Sequence, residues 1–124
     1  MTGSRRVFVV DDEPVIADTL QAILKQWGFE AFCFTDPMMA LKAAALTPPQ
    51  VLLTDVIMPK LNGVEFAILF KALCPECQIL LMSGHNLADG LLQEAENRGH
   101  AFRILAKPFQ PDVLRELIST EAQT

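Results

Sequence analysis

The sequence predicts a doubly wound α/β domain, a five-stranded parallel sheet with helices on both faces. Three observations carry this. Short apolar runs alternate with longer segments whose apolar residues recur at intervals of three and four. Three of the runs, RVFVV (6–10), VLLTD (51–55) and QILLMS (78–83), are continuously apolar rather than alternating, as strands covered on both faces are. The chain has 124 residues, which suits one domain with a sizeable core.

The elements follow in order. RVFVV (6–10) is a first strand that ends on Asp11-Asp12-Glu13. Residues 14–28 form a helix opening on Pro14 and closing on Gly28, with Ile16, Leu20, Ile23, Leu24 and Trp27 on one stripe. FEAFCF (29–34) alternates like a half-buried strand, and residues 36–46 begin with an Asp N-cap followed by Pro at the first helical position. VLLTD (51–55) is a buried strand, 63–73 a helix, and 78–83 another buried strand. Residues 86–99 form a helix weakened by Gly90, 101–106 a fifth strand and 110–120 a last helix. The order is βαβαβαβαβα, with no repeat and no linker.

Composition narrows the function classes. Hydrophobic residues make up 51% and charged residues 20%, with 10 Lys and Arg against 15 Asp and Glu, a formal net charge of -5. That balance argues against direct nucleic-acid binding, which needs a basic face. No apolar run approaches the roughly 18–20 residues of a membrane span, and the start has no signal-peptide pattern. A cytoplasmic chain is expected. Three cysteines, Cys33, Cys74 and Cys77, do not suggest a disulfide framework. Cys74 and Cys77 have a C-x-x-C spacing but follow a helix, where the dipole has the wrong sign to stabilise a thiolate.

The chemistry collects at the strand ends. In doubly wound sheets, ligands bind outside the carboxyl ends of the strands. Here those ends carry Asp11-Asp12-Glu13, Asp55, Ser83-Gly84 and Lys107-Pro108. In the flavodoxin-like order 2-1-3-4-5, strands one and three are neighbours, so Asp11, Asp12 and Asp55 meet in one cleft. Three carboxylates at such range must take up protons or a cation. Hard oxygen ligands, few in number and with room for water, suit Mg²⁺. Lys107 adds a positive charge that points to an incoming anion. Mg²⁺, Lys107, the Ser83 hydroxyl and backbone N–H groups together can hold phosphoryl oxygens, one carboxylate being the nucleophile. Taken singly, each residue has a plainer reading: Asp11 as a helix cap before Pro14, Ser83 as a turn residue, Lys107 as a solvated charge.

The segments VVDDEP (9–14), LLTDVIMPKLNG (52–63), LMSG (81–84) and AKPF (106–109) together resemble the receiver domain of two-component response regulators, over nearly the whole chain. The resemblance implies a single receiver domain over residues 1–124, with no output domain in this chain. It implies that Asp55 accepts a phosphoryl group from a histidine kinase or phosphotransfer protein, switching partner or domain interactions. Asp11, Asp12 and Asp55 would ligate Mg²⁺, with the Ile57 backbone carbonyl as a further ligand. Ser83 would contact the phosphoryl oxygens and Lys107 would pair with them. Such a module is a phosphoacceptor that phosphorylates and dephosphorylates itself, not an enzyme in the ordinary sense. A cis peptide before Pro108 is also implied.

The chain departs from the family in places. The aromatic switch residue three before the lysine is Ile104 here, and the nearest aromatic on that strand face is Phe102. Ile57 and His85 occupy positions that modulate phosphoryl lifetime in the family. The helix 63–73 needs one apolar stripe, which Val64, Phe66, Ala67 and Phe70 supply, yet Ile68 and Leu69 are apolar too. At least one of them is expected on the outer face, as a contact for a second copy or a neighbouring domain.

Two other function classes compete. One is a receiver-like binding module controlled by a partner rather than by phosphate, which the intact Asp11, Asp12, Asp55, Ser83 and Lys107 argue against. The other is an aspartyl-phosphate phosphohydrolase, whose D-x-D after the first strand is replaced here by Asp-Asp-Glu-Pro.

Overall fold

The structure is a computed structural model that describes residues 5–59, 61–84, 87–100, 102–107 and 110–121; the side chains of 87–89, 91–92 and 119–121 are also outside the description. Five strands and five helices alternate: β1 Arg6–Val10, α1 Pro14–Gln26, β2 Glu30–Phe34, α2 Pro37–Leu46, β3 Val51–Asp55, α3 Gly63–Leu73, β4 Gln78–Ser83, α4 Leu87–Asn97, β5 Arg103–Ala106 and α5 Pro111–Glu121. The strands form one sheet in the order β2-β1-β3-β4-β5, every pairing parallel.

The continuously apolar strands are the three central ones, as their pattern requires. Alternate residues send side chains to opposite faces. Val7, Val9, Leu53, Leu80 and Met82 pack with Leu20 and Leu24 of α1 and Leu114 and Ile118 of α5. Phe8, Val10, Leu52, Ile79 and Leu81 pack with Ala40 and Ala44 of α2 and Phe66 and Phe70 of α3. Two half-cores thus share one sheet, and every central strand is anchored in both. The register Val7↔Val51, through Val10↔Thr54, brings the ends of β1 and β3 level at one edge. That register is what gathers the acidic residues.

Local chemistry sets the helix boundaries. Pro14 and Pro37 stand at the first helical positions of α1 and α2. Asp36 caps α2, its Oδ1 accepting from the Met38 N–H at 3.0 Å. Asn62 caps α3 in the same way, its Oδ1 accepting from the Glu65 N–H at 2.7 Å. Gly28, at φ 95°, makes the left-handed turn that ends α1 and admits β2.

One expectation needs correction. β5 begins at Arg103, so Phe102 precedes the strand instead of lying on it; it packs half-buried against the α3 half-core and stacks on His100. Ile104 is 48% exposed on that edge strand. On α3, Leu69 lies on the outer face as expected, 51% exposed and joined by Leu73 at 45%, while Ile68 packs against the core. An edge strand has one neighbour and little cover, and a helix stripe wider than about 100° turns its margin inward. His85 and Pro108, with the peptide bond before it, lie outside the described residues.

Candidate functional site

Four of the sequence-selected residues meet at the carboxyl edge of the sheet. Asp11 follows β1 and is fully buried. Its backbone N–H donates to the Phe34 carbonyl at 3.1 Å, extending the β1–β2 pairing by one residue and holding the side chain over the sheet edge. Its Oδ1 accepts from the Glu13 N–H at 3.0 Å. Asp11 therefore does shape the entry to α1, but only with one oxygen. Its Oδ2 is buried with no hydrogen-bond donor among the described residues.

Asp55 ends β3, its side chain only 14% exposed. Oδ1 accepts from the Ile57 N–H at 3.4 Å, and Oδ2 pairs with Lys107 Nζ at 3.3 Å. The same Nζ lies 3.6 Å from Asp11 Oδ2. Lys107 is aimed there by β5, whose pairing continues one residue past Ala106 as its N–H donates to the Ser83 carbonyl at 2.9 Å. Carboxylate oxygens of Asp11, Asp12 and Asp55 all lie within 4.8 Å of one another. One lysine cannot balance three carboxylates, and the effect falls on the most buried. Burial pushes the Asp11 carboxyl above its ordinary value of 3.8, and Asp55 and Asp12 add to this, while the Glu13 N–H and Lys107 work against it.

A cleft of about 310 Å³ opens above this cluster, lined by Asp12, Glu13, Asp55, Ile57, Gly84 and Lys107. The donor set is all oxygen, crowded, and includes a buried orphan acceptor, which fits a small divalent cation of the Mg²⁺ kind. Ser83 ends β4 at the same edge, half-buried and opposite Ala106, but Gly84 rather than Ser83 is among the described residues lining the cleft. Ile57 is placed at its rim, while Ile104 and Phe102 stand apart from its lining.

Gly63 contributes in a way the reading of the sequence missed. A Cβ on it would lie 2.0 Å from the Asp55 carbonyl oxygen and 2.6 Å from the Val56 Cα. Its N–H donates to the Val56 carbonyl at 2.6 Å. The first residue of α3 is thus pressed onto the end of β3, and only glycine fits. A glycine directly after a capping Asn was the available signal. The cysteines stay out of the chemistry: Cys74 and Cys77 are buried free thiols beside the β4 entry, and burial pushes Cys77 up to about 12.

The order of the strands and the acidic cleft at the β1–β3 switch point define the class, and comparison with known proteins agrees. Residues 7–119 match the response regulator receiver domain family, and the chain belongs to it. The transcriptional regulatory protein FixJ of Bradyrhizobium diazoefficiens is 33% identical over 97% of this chain and 58% of its own length. Sporulation initiation phosphotransferase F of Bacillus subtilis is 24% identical, over 93% of this chain and 91% of its own. Against transcriptional regulators such as PrrA of Mycobacterium leprae, the chain spans about half, 48%, of the relative's length. Among solved structures, chemotaxis protein CheY4 of Vibrio cholerae superposes with a TM-score of 0.83 at 27% identity, covering 95% of this chain and 98% of that one. The chain is therefore a response regulator receiver domain of the two-component type. No described helix is long and apolar enough to cross a membrane.

Proposed function

We propose that this receiver domain is switched by phosphorylation of Asp55, with a histidine kinase or phosphotransfer protein as donor. One observation carries the reading: Lys107 Nζ stands between Asp55 Oδ2 at 3.3 Å and Asp11 Oδ2 at 3.6 Å, beneath an open cleft. A structural ion pair needs one carboxylate. A cation shared between two carboxylates at a solvent-open strand end is suited to receiving further negative charge.

Asp11, Asp12 and Asp55 would hold Mg²⁺, with the Ile57 carbonyl beside them, and the ion would offset the charge of phosphoryl oxygens. The protein's own part is positional. An Asp55 carboxylate oxygen forms the O–P bond as the P–N bond to the donor imidazole breaks, the electron pair staying on nitrogen. The Ile57 N–H orients Asp55. Lys107 leaves the carboxylate for the new phosphoryl oxygens, and Ser83, one strand across, supplies a hydroxyl to them. His85, Ile57, Ile104 and Phe102 then bear on how long the phosphoryl group lasts and how it is read out.

The donor surface follows from the rim. Ile57, 46% exposed, lines the acidic cleft, and Val15, 76% exposed in the first turn of α1, follows Glu13 of that lining by two residues. An apolar rim around a charged centre suits a protein donor that must exclude water during transfer. The domain acts in the cytoplasm, as one unit over residues 1–124, binding proteins rather than nucleic acid.

Incubation with acetyl phosphate and Mg²⁺, followed by intact mass measurement, tests the reading. One acid-labile phosphoryl group is expected on the natural chain and none on Asp55→Asn, because an amide is a poor nucleophile. Equal phosphorylation of both overturns it. A beryllofluoride adduct located on Asp55 would separate it from control by a partner alone.

A further inference from the structure

We infer that Thr54 is a positioning residue for Asp55, acting through the backbone that follows β3, an inference that rests on Asp55 being the phosphoacceptor. Among the described residues, the buried polar side chains are Asp11 and Thr54. Asp11 belongs to the acidic cluster. Thr54 alternates with Leu53 along β3 and so shares the face of Leu52. Its register partners, Val10 on β1 and Leu81 on β4, both belong to the half-core under α2 and α3. A hydroxyl in such a place is unfavourable unless it is hydrogen-bonded. Valine has nearly the same shape and would serve the packing alone.

The hydroxyl is used on the acceptor's own backbone, donating to the Asp55 carbonyl at 3.1 Å. That carbonyl opens a run of two peptide planes, each held at both ends. In the first, the Asp55 carbonyl accepts from Thr54 Oγ1, and the Val56 N–H donates to the Met82 carbonyl of β4 at 3.0 Å. In the second, the Val56 carbonyl accepts from the Gly63 N–H at 2.6 Å, and the Ile57 N–H donates to Asp55 Oδ1 at 3.4 Å. The chain thus returns from the backbone of Asp55 to its carboxylate. Planar peptides leave only φ and ψ soft, so a tilt of the first plane passes through Val56 to the second. The same Asp55 oxygen would lie 2.0 Å from a Cβ on Gly63, so the start of α3 limits where else it can go.

The last link is the sensitive one. At 3.4 Å the Ile57 N–H contact is already long, and a small tilt breaks it. The other oxygen of the same carboxylate, Oδ2, faces Lys107 Nζ at 3.3 Å. Without the Thr54 hydroxyl, the Asp55 carbonyl turns toward another donor and the carboxylate loses the N–H that fixes its rotation. The effect falls on the alignment of the nucleophile, while the half-core keeps its packing. Misplacing a reacting group by about 1 Å can cost about 10²-fold in rate, and the tilt of one peptide should cost less.

The test compares Thr54→Val, which keeps the shape and removes the hydroxyl, with Thr54→Ser, which keeps the hydroxyl and removes a methyl group. Intact mass measurement follows phosphorylation by acetyl phosphate and Mg²⁺, urea unfolding gives stability, and NMR without a phosphoryl donor reads the Ile57 amide. Thr54→Val should phosphorylate about tenfold more slowly than the natural chain. Its Ile57 amide should shift and exchange faster with solvent. Thr54→Ser should stay within about twofold of the natural rate and keep the Ile57 amide in place. It should nevertheless unfold at lower urea, for the lost methyl group. Rate and stability thus part, which a merely structural threonine would not produce. Thr54→Ala should match Thr54→Val in rate and amide shift, so that a poor fit of valine does not decide the outcome. The role of Thr54 is overturned if the two variants without a hydroxyl keep the natural rate, if Thr54→Ser is as slow as they are, or if their Ile57 amide does not move. A natural chain that takes up no phosphoryl group overturns Asp55 as the acceptor instead, and the Ile57 amide still decides whether Thr54 places the Asp55 carboxylate.

Discussion

At the scale of single residues, the site is a contest between burial and charge, and Gly63 shows how tightly the backbone holds it. Gly63→Ala would put a methyl carbon 2.0 Å from the Asp55 carbonyl oxygen, so β3 and α3 must part. We expect a loss of about 2–4 kcal/mol, at the upper end of overpacking costs. Phosphorylation by acetyl phosphate should slow as well, because Asp55 moves with its carbonyl. Urea unfolding and intact mass measurement check both; an unchanged midpoint would mean that the helix start yields freely. The acidic residues and Lys107 were legible in the sequence because a charge at the end of an apolar run has no structural reason to be there. Gly63 was not, since a glycine near a helix start has many ordinary uses, and the oxygen it avoids is reached only through the folded loop. Thr54 was passed over too. It is fully buried, and its hydroxyl donates to the Asp55 carbonyl at 3.1 Å.

At the scale of elements, periodicity located every strand and helix, and the errors lie where packing decides. β1, β3 and β4 were legible to the residue because both their faces are covered and a polar residue marks each end. β5 was drawn too long, since Phe102 continues its apolar pattern but turns onto the α3 half-core before the pairing begins. On α3 the surplus of apolar residues was visible, but which of them faces outward depends on the rotation of the helix against α2 and α4. The answer is Leu69 and Leu73, one turn apart, with Ile68 inward. We expect this stripe to be a contact between two copies of the chain. Leu69→Glu with Leu73→Lys should leave thermal stability within about 0.5 kcal/mol, as exposed substitutions do, and leave phosphorylation unchanged. Sedimentation of the natural chain should show self-association that the double variant lacks. A natural chain that is monomeric with and without beryllofluoride would leave the stripe as scattered exposed leucines.

At the scale of the whole molecule, the acidic site opposes folding, and a bound cation would relieve it. Both half-cores grip β1 and β3, so the ends of these strands cannot separate to spread Asp11, Asp12 and Asp55. The strain is taken up electrostatically, as the raised Asp11 carboxyl records. The folded chain holds this proton more tightly than the unfolded chain, so the contribution to stability is full below about pH 3.8. It is lost as the pH rises through the higher folded value. In EDTA at neutral pH, Asp11→Asn should therefore raise the thermal midpoint by a few degrees, even though it gives up the 3.6 Å pairing with Lys107. Burial outweighs that pairing in setting the direction of the shift. Added Mg²⁺ should reverse the order. At ten times its dissociation constant, a ligand that binds only the folded state adds about 1.4 kcal/mol, or roughly 3–6 °C for a domain of this size. The natural chain should gain this and Asp11→Asn much less, so the two melting curves cross as Mg²⁺ is titrated. Differential scanning fluorimetry across a Mg²⁺ series reads the crossing directly. Parallel curves would show that Asp11 is not a ligand, and that its buried Oδ2 is held for Lys107 alone.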